Sequence, residues 1–177
     1  MSHTFLISTW SDFQVILDHP SIERMLSMPR TGGGYRHVVI IAGGNDLSFF
    51  AKKGYVSNSQ LDQLVTDIAY CARFVGHQTG ASISVLHVLP RYQAHYARAT
   101  RPLNQKLDGA LQRGWGRIST LKVQGLWNPG PATKILLDGI HLTKKGYQCL
   151  WRAVRGDVKK QLHIWNGCSA VNCIYRL

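Results

Sequence analysis

Unbroken apolar runs and helical apolar stripes take turns along this chain. Val38 to Ala42 is a continuous apolar run of strand length. Such runs suit strands buried on both faces of a parallel sheet. Ala81 to Leu89 is rich in β-branched residues and is closed by Pro90, so it predicts a second strand. Ile118 to Leu126 predicts a third, with a weaker pattern, and Thr4 to Ser8 fits a short opening strand.

Between these runs the period changes. Leu61, Leu64, Val65, Ile68, Ala72 and Val75 recur at helical spacing, which predicts a helix with one buried face. Ser59 is the expected cap, and Gly76 and Gly80 mark the expected exit. Leu103, Leu107 and Leu111 form a stripe within Tyr92 to Gly114, where Pro102 predicts a break or a fresh start. Beyond Thr143, an expected cap, come Tyr147, Leu150, Trp151, Val154, Val158 and Leu162. Their spacing predicts a long last helix, with Tyr147 and Trp151 on its core face. Asp12 to Leu26 also has a helical period, interrupted at His19-Pro20. Arg30 to Gly34, Lys52 to Asn58 and Asn128 to Pro131 read as loops or turns.

Strands alternating with helices predict an α/β fold, three-layer α/β/α with a mostly parallel sheet. A chain of 177 residues suits one domain with a sizeable core. Residues 1–163 are taken as that domain and 164–177 as a C-terminal tail. No apolar run is long enough to span a bilayer. Met1 to Leu17 lacks the basic start and long apolar core of a secretion signal, so a cytoplasmic or nuclear location is expected. The cysteines are Cys71, Cys149, Cys168 and Cys173, and no two form a CxxC pair. Free thiols are expected, with a Cys168–Cys173 bridge as the alternative, and no metal site is expected.

The formal net charge of +12 adds one consideration. It favours attraction to nucleic acid or another anionic surface. The cations are spread without a compact block, however, so a solvated basic surface is the simpler reading. Lys144, Lys145, Arg152, Arg155, Lys159 and Lys160 are assigned to the solvent face of the last helix.

In open α/β folds ligands bind beyond the carboxyl ends of the strands. Asn45 lies just past the first apolar run, in Gly43-Gly44-Asn45-Asp46, which reads as a polar turn. Pro90 and Arg91 lie past the second run, and Asp138 and His141 precede the last helix. A histidine can take a proton near neutral pH. A carboxylate can fix its tautomer, and a side-chain amide can donate to a developing oxyanion. An Asn-Asp pair after a strand is also ordinary turn chemistry, and a histidine before a helix can be structural.

Gly43-Gly44-Asn45-Asp46 after an apolar strand resembles the GxND block of the SGNH (GDSL-type) hydrolases. Asp138-Gly139-Ile140-His141-Leu142 resembles their DxxHL block, and Leu89-Pro90-Arg91 with Leu103-Asn104 matches the layout between. The nearest flavour is the esterase-like SGNH domains of animal genomes, some carried in retrotransposons. The resemblance covers roughly residues 36 to 160. It implies ester hydrolysis through an acyl-serine, with a small ester as substrate and no cofactor or metal. His141 would be the base, Asp138 its orienter and Asn45 an oxyanion donor, with Gly43, Gly44 and Asp46 supporting that loop. The family's first block, a Gly-Asp/His-Ser turn after the opening strand, is not visible. Ser8 and Ser11 are the candidates for nucleophile, and neither lies in such a turn. The expectation is therefore a chain that begins after the family's first strand, lacking the serine and the oxyanion glycine, so that ester hydrolysis is the ancestral activity and loss of covalent catalysis is expected here. A non-catalytic basic binding domain, or a nucleic-acid-associated one, is the alternative.

Overall fold

The structure, a computed structural model, describes residues 5–6, 37–112, 117–123, 126 and 136–164. The expected helices over Asp12 to Leu26, the turn at Asn128 to Pro131, Ser8, Ser11 and the tail cysteines lie outside these residues. Four parallel strands stand in chain order: β1 (Phe5–Leu6), β2 (His37–Ile41), β3 (Ser82–Leu86) and β4 (Ile118–Leu121). The helices among the described residues are α1 (Gly44–Lys52), α2 (Asn58–Thr79), α3 (Ala94–Gln112) and α4 (Lys144–Ile164).

Side chains alternate across a strand, and that alternation sorts the layers. Val38, Ile40, Ile83 and Val85 point to one face and pack with Leu47, Leu64, Ile68, Ala72, Leu103 and Leu107 of α1, α2 and α3. Ile41, Leu86 and Leu121 belong to the other cluster, with Cys149, Leu150 and Ala153 of α4. The result is the α/β/α arrangement that the alternating pattern predicts.

The face under α4 carries an unexpected polar seam. His37 Nδ1 lies 2.7 Å from Ser82 Oγ, and His37 Nε2 lies 3.0 Å from Asp157 Oδ2. Ser84 Oγ adds a 3.1 Å contact to Ser119 Oγ. Buried polar groups must be hydrogen-bonded, and here the pairing ties the last helix to the start of β2 and β3.

Several local expectations are corrected. Gly43 to Asp46 is not merely a polar turn: Gly44–Lys52 is a helix, and its buried residues are Leu47 and Ala51. The cap of α2 is Ser57, not Ser59. Ser57 Oγ accepts from Gln60 N, and Gln60 Oε1 accepts from Ser57 N, a reciprocal capping box. Gly76 lies inside α2, which ends at Gly80 with φ 68°. Only a small residue fits at Gly76, because a Cβ there would lie 3.2 Å from Ile83 Cγ1. Pro102 does not break α3, which runs through it. Its cost is offset by a stripe of Leu103, Leu107 and Leu111, all deeply buried. Strand β4 stops at Leu121, although Val123 and Leu126 stay buried. Thr143 does cap α4, accepting from Gly146 N at 3.2 Å. Tyr147 and Trp151 are not core residues: they are 46% and 37% exposed. The buried side of α4 is centred instead on Leu150, Val154 and Asp157.

Candidate active site

Two glycines let the chain bring its polar loops to the carboxyl edge of the sheet. After β2, Gly43 adopts φ 87°, and a Cβ there would lie 2.8 Å from Ile68 Cδ1. Only glycine meets both demands. The turn feeds α1 at once, with Leu47 N donating to Gly43 O at 3.0 Å. Asn45 and Asp46 therefore occupy the first helical turn, and Asn45 is exposed. Arg91 Nη2 donates to Asn45 Oδ1 at 3.0 Å. A guanidinium has only donors, so the amide must turn its oxygen to Arg91. That leaves Nδ2 on the other edge of the amide, available to donate.

The second loop is closed on itself. Leu136 and Leu142 form an antiparallel bridge, and Leu137 N donates to His141 O at 2.7 Å. Inside the loop Asp138 Oδ1 accepts from Ile140 N at 2.9 Å and from His141 N at 2.7 Å. This is the local side-chain-to-backbone turn that Asp favours. Its other oxygen, Oδ2, lies 2.6 Å from His141 Nδ1. The backbone and ring hydrogen bonds of His141, then the Ile140 amide, hold the Asp138 carboxyl far below the usual carboxylate range. An ionised Asp138 can only accept, so Nδ1 donates its N–H to Oδ2, and this fixes the tautomer whose free nitrogen is Nε2. The imidazole is well exposed.

Gly139 has φ 83°, and its carbonyl accepts from Tyr92 N at 3.0 Å. A Cβ at Gly139 would meet Tyr92 Cδ2 at 2.8 Å. This contact fastens the Asp138–His141 loop to the residue after Arg91, whose side chain holds Asn45. Asn45 and the Asp138–His141 loop thus share one edge of the fold. A cleft of about 190 Å³ opens there, and both Asn45 and Ile140 line it, with Arg91 between strand ends and helix.

Sequence reading missed the fasteners. Arg91 stood out as a cation after a strand-ending proline and, with Asn104, as part of the motif layout, but not as a tether for Asn45. Asn104 is a buried amide on the α3 stripe. It accepts from Val88 N at 2.9 Å and donates to Val88 O at 3.0 Å, clamping the chain beyond β3. A polar residue beside Leu103 on a buried face was the available signal. His87, which lines the cleft, lies 2.8 Å from Asp108 Oδ1 through its Nε2. Thr120 Oγ1 donates to the same oxygen at 2.6 Å.

Of the described serines, Ser48, Ser57, Ser59, Ser82, Ser84 and Ser119, none is hydrogen-bonded to His141. Among the described residues no group of three His, Cys, Asp or Glu side chains could hold a metal ion. No described helix is long and apolar enough to cross a membrane.

A mostly buried parallel sheet between helical layers, with polar loops at its carboxyl edge, defines an α/β protein with a layered α/β/α fold. No family model matches the chain. No curated protein matches it either. Among solved structures it is similar to the lipase Lip_vut3 from a goat rumen metagenome. That match has a TM-score of 0.60 at 14% identity and covers 84% of this chain and 73% of that one. The likeness is one of fold.

Proposed function

We propose that this edge is the site of an SGNH-type serine ester hydrolase, in a domain spanning residues 1–163. The observation that carries it is the 2.6 Å pairing of Asp138 and His141 in a loop fastened beside Asn45. In the proposed reaction a serine Oγ loses its proton to His141 Nε2 and attacks the ester carbonyl carbon. Asn45 Nδ2 donates to the oxyanion, and the alkoxide leaves with the proton that His141 carries. His141 then takes a proton from water, whose oxygen attacks the acyl carbon, and returns that proton to the departing serine Oγ as the acid is freed. No cofactor enters this scheme. The animal, retroelement-associated kinship and the cytoplasmic or nuclear location belong to the same proposal.

The nucleophile must come from outside the described residues. Ser8 is the first candidate and Ser11 the second. In β1, Leu6 stands beside Ile41 of parallel β2, so the chain leaves β1 at the edge that carries Asn45. Ser8 follows Leu6 by two positions in the sequence. Treatment with a fluorophosphonate, followed by intact-mass and peptide analysis, tests this. The expected result is one adduct, on Ser8 or Ser11, lost in His141→Ala. An unmodified chain would count against covalent catalysis.

A non-catalytic nucleic-acid-associated domain is the second reading, and one observation favours it. Helix α4 exposes Lys144, Lys145, Arg152, Arg155, Lys159 and Lys160, bordered by the exposed rings of Tyr147 and Trp151. Cations tracking phosphates beside stacking rings are what single strands require. Salt-dependent binding of an oligonucleotide, weakened in Trp151→Ala, would support this reading.

A further inference from the structure

Arg91 is held in an unusual place for a cation. Its Nη2 donates to Asn45 Oδ1 at 3.0 Å. Its guanidinium carbon lies 5.1 Å from the centroid of the Tyr96 ring. Tyr96 is itself a fixed platform, buried to 1% exposure, with its hydroxyl donating to Leu89 O at 3.0 Å. A Cβ on Gly44 would lie 3.4 Å from Arg91 Nη2, so the guanidinium rests over the first residue of α1.

The start of a helix carries partial positive charge, because its first amides have no partner within the helix. Gly43, as the residue before the helix, supplies no side-chain cap to those amides. A guanidinium fixed against that end brings two positive groups together. Asp46, in the first turn of α1, is the acid nearest in sequence. Among the described residues no carboxylate forms an ion pair with Arg91. Both groups also face the same cleft, whose remaining wall includes Leu86, Val88, Leu89, Pro90 and Ile140. Apolar side chains thus make up most of its wall, and its polar side chains are Asn45, Arg91, His87 and Tyr96, of which His87 is paired with Asp108 and Tyr96 with Leu89 O. Apolar walls with few convergent polar groups are the usual makeup of a small-molecule site, and a planar five-donor fork suits a carboxylate or phosphate.

We infer that Arg91 makes this cleft a site for a small ester bearing an anionic group, a carboxylate or phosphate held by the guanidinium beside the first amides of α1. Arg91 then has two tasks. One N–H fixes the Asn45 amide, and the remaining N–H groups take the anion. The cleft, of about 190 Å³, suits a small ligand. A small diacid half-ester, or a small phosphate-bearing ester, is the fitting class. The word ester rests on the proposed hydrolase function. The anion site does not, and it is tested by binding alone.

The test is calorimetric titration of the full chain at low ionic strength with glutarate, with inorganic phosphate and with neutral glutaramide. Arg91→Gln, Lys159→Gln and His141→Ala are titrated alongside. Lys159→Gln removes the same charge from the exposed side of α4, so it reports general attraction. The expected result is binding of glutarate or phosphate that weakens at least tenfold in Arg91→Gln. It should change less than twofold in Lys159→Gln, and glutaramide should not bind. The stronger of the two anions names the headgroup. In the wild-type chain the amide resonances of Gly44 and Asn45 should shift with the bound anion, a readout that needs no variant. Absence of anion binding, absence of those shifts, or equal losses in the Arg91 and Lys159 variants would overturn the inference. Anion binding retained in both wild type and His141→Ala, with no ester turnover by the wild-type chain, would sink the hydrolase reading and leave the anion site standing.

Discussion

Asp138 holds His141 from two sides: Oδ1 accepts the ring-bearing residue's own amide at 2.7 Å, and Oδ2 faces Nδ1 at 2.6 Å. The carboxylate therefore shapes the loop and sets the ring in one step. Asparagine at 138 could keep the amide contacts through its oxygen, but its NH2 would then face Nδ1. That arrangement favours the tautomer with its proton on Nε2, the wrong nitrogen for a base. Asp138→Asn is expected to lower kcat/KM for an ester by roughly 10²- to 10⁴-fold with little change in melting temperature. Steady-state rates and thermal unfolding of the two proteins check this. Because its hydrogen bonds keep Asp138 ionised far below the usual range, no fall in rate around pH 4 should arise from its protonation.

Gly139 faces Tyr92 with no room for a side chain. Gly139→Ala combines a strained φ of 83° with a Cβ at 2.8 Å from Tyr92 Cδ2. The loop should shift, with a stability cost of about 1–3 kcal/mol. Adding Tyr92→Ala should relieve the clash but not the strained backbone, so stability should return in part. Denaturant melts of the single and double variants measure both contributions.

His37 and Asp157, distant in sequence, join the sheet to α4 at 3.0 Å. Burial pushes the Asp157 carboxyl up, but hydrogen bonds from His37 and Ser84, the His37 charge and a hydrogen bond from Gln161 outweigh it. The net shift is downward. A carboxyl lowered by folding adds stability above its unfolded pKa of about 4, and that stability is lost as pH falls through the lower folded value. Wild-type melting temperature should therefore drop between pH 5 and the acid limit. In Asp157→Asn this decline should be shallower, from a lower start at pH 7. Equal pH slopes for the two proteins would contradict the role given to this pair.

Cys71 is buried inside α2, and burial pushes its thiol up to about 12. The thiolate is the reactive form, so Cys71 should resist an aromatic disulfide reagent in the native protein. It should react only after denaturation. Mass mapping of the labelled cysteines reads the outcome, and rapid native labelling of Cys71 would contradict the packing described.

The elements that could be read from sequence are those whose signal is local. The apolar run from Val38 and the stripe from Leu61 to Val75 are each decided by their own residues, and both stand in the fold. Helix α1 was hidden because its first residues, Gly44-Asn45-Asp46, are also good turn residues, and its buried side has only Leu47 and Ala51. The Ser57 cap depended on the partner Gln60, which a search for a lone serine passes over. Pro102 was misjudged because tertiary burial of α3 outweighs a lost hydrogen bond. Tyr147 and Trp151 fit the helical stripe by spacing but stand at its margin. The candidate site was legible as two short motifs. The bonds that relate them, Arg91 to Asn45 and Tyr92 to Gly139, join residues 46 and 47 positions apart and leave no local pattern.

The most direct test is turnover of a short-chain p-nitrophenyl ester by the full chain beside His141→Ala. The expected result is hydrolysis above the uncatalysed rate that falls by at least 10²-fold in the variant. Wild-type turnover no faster than that of His141→Ala would contradict an ester-hydrolase site at this edge of the sheet.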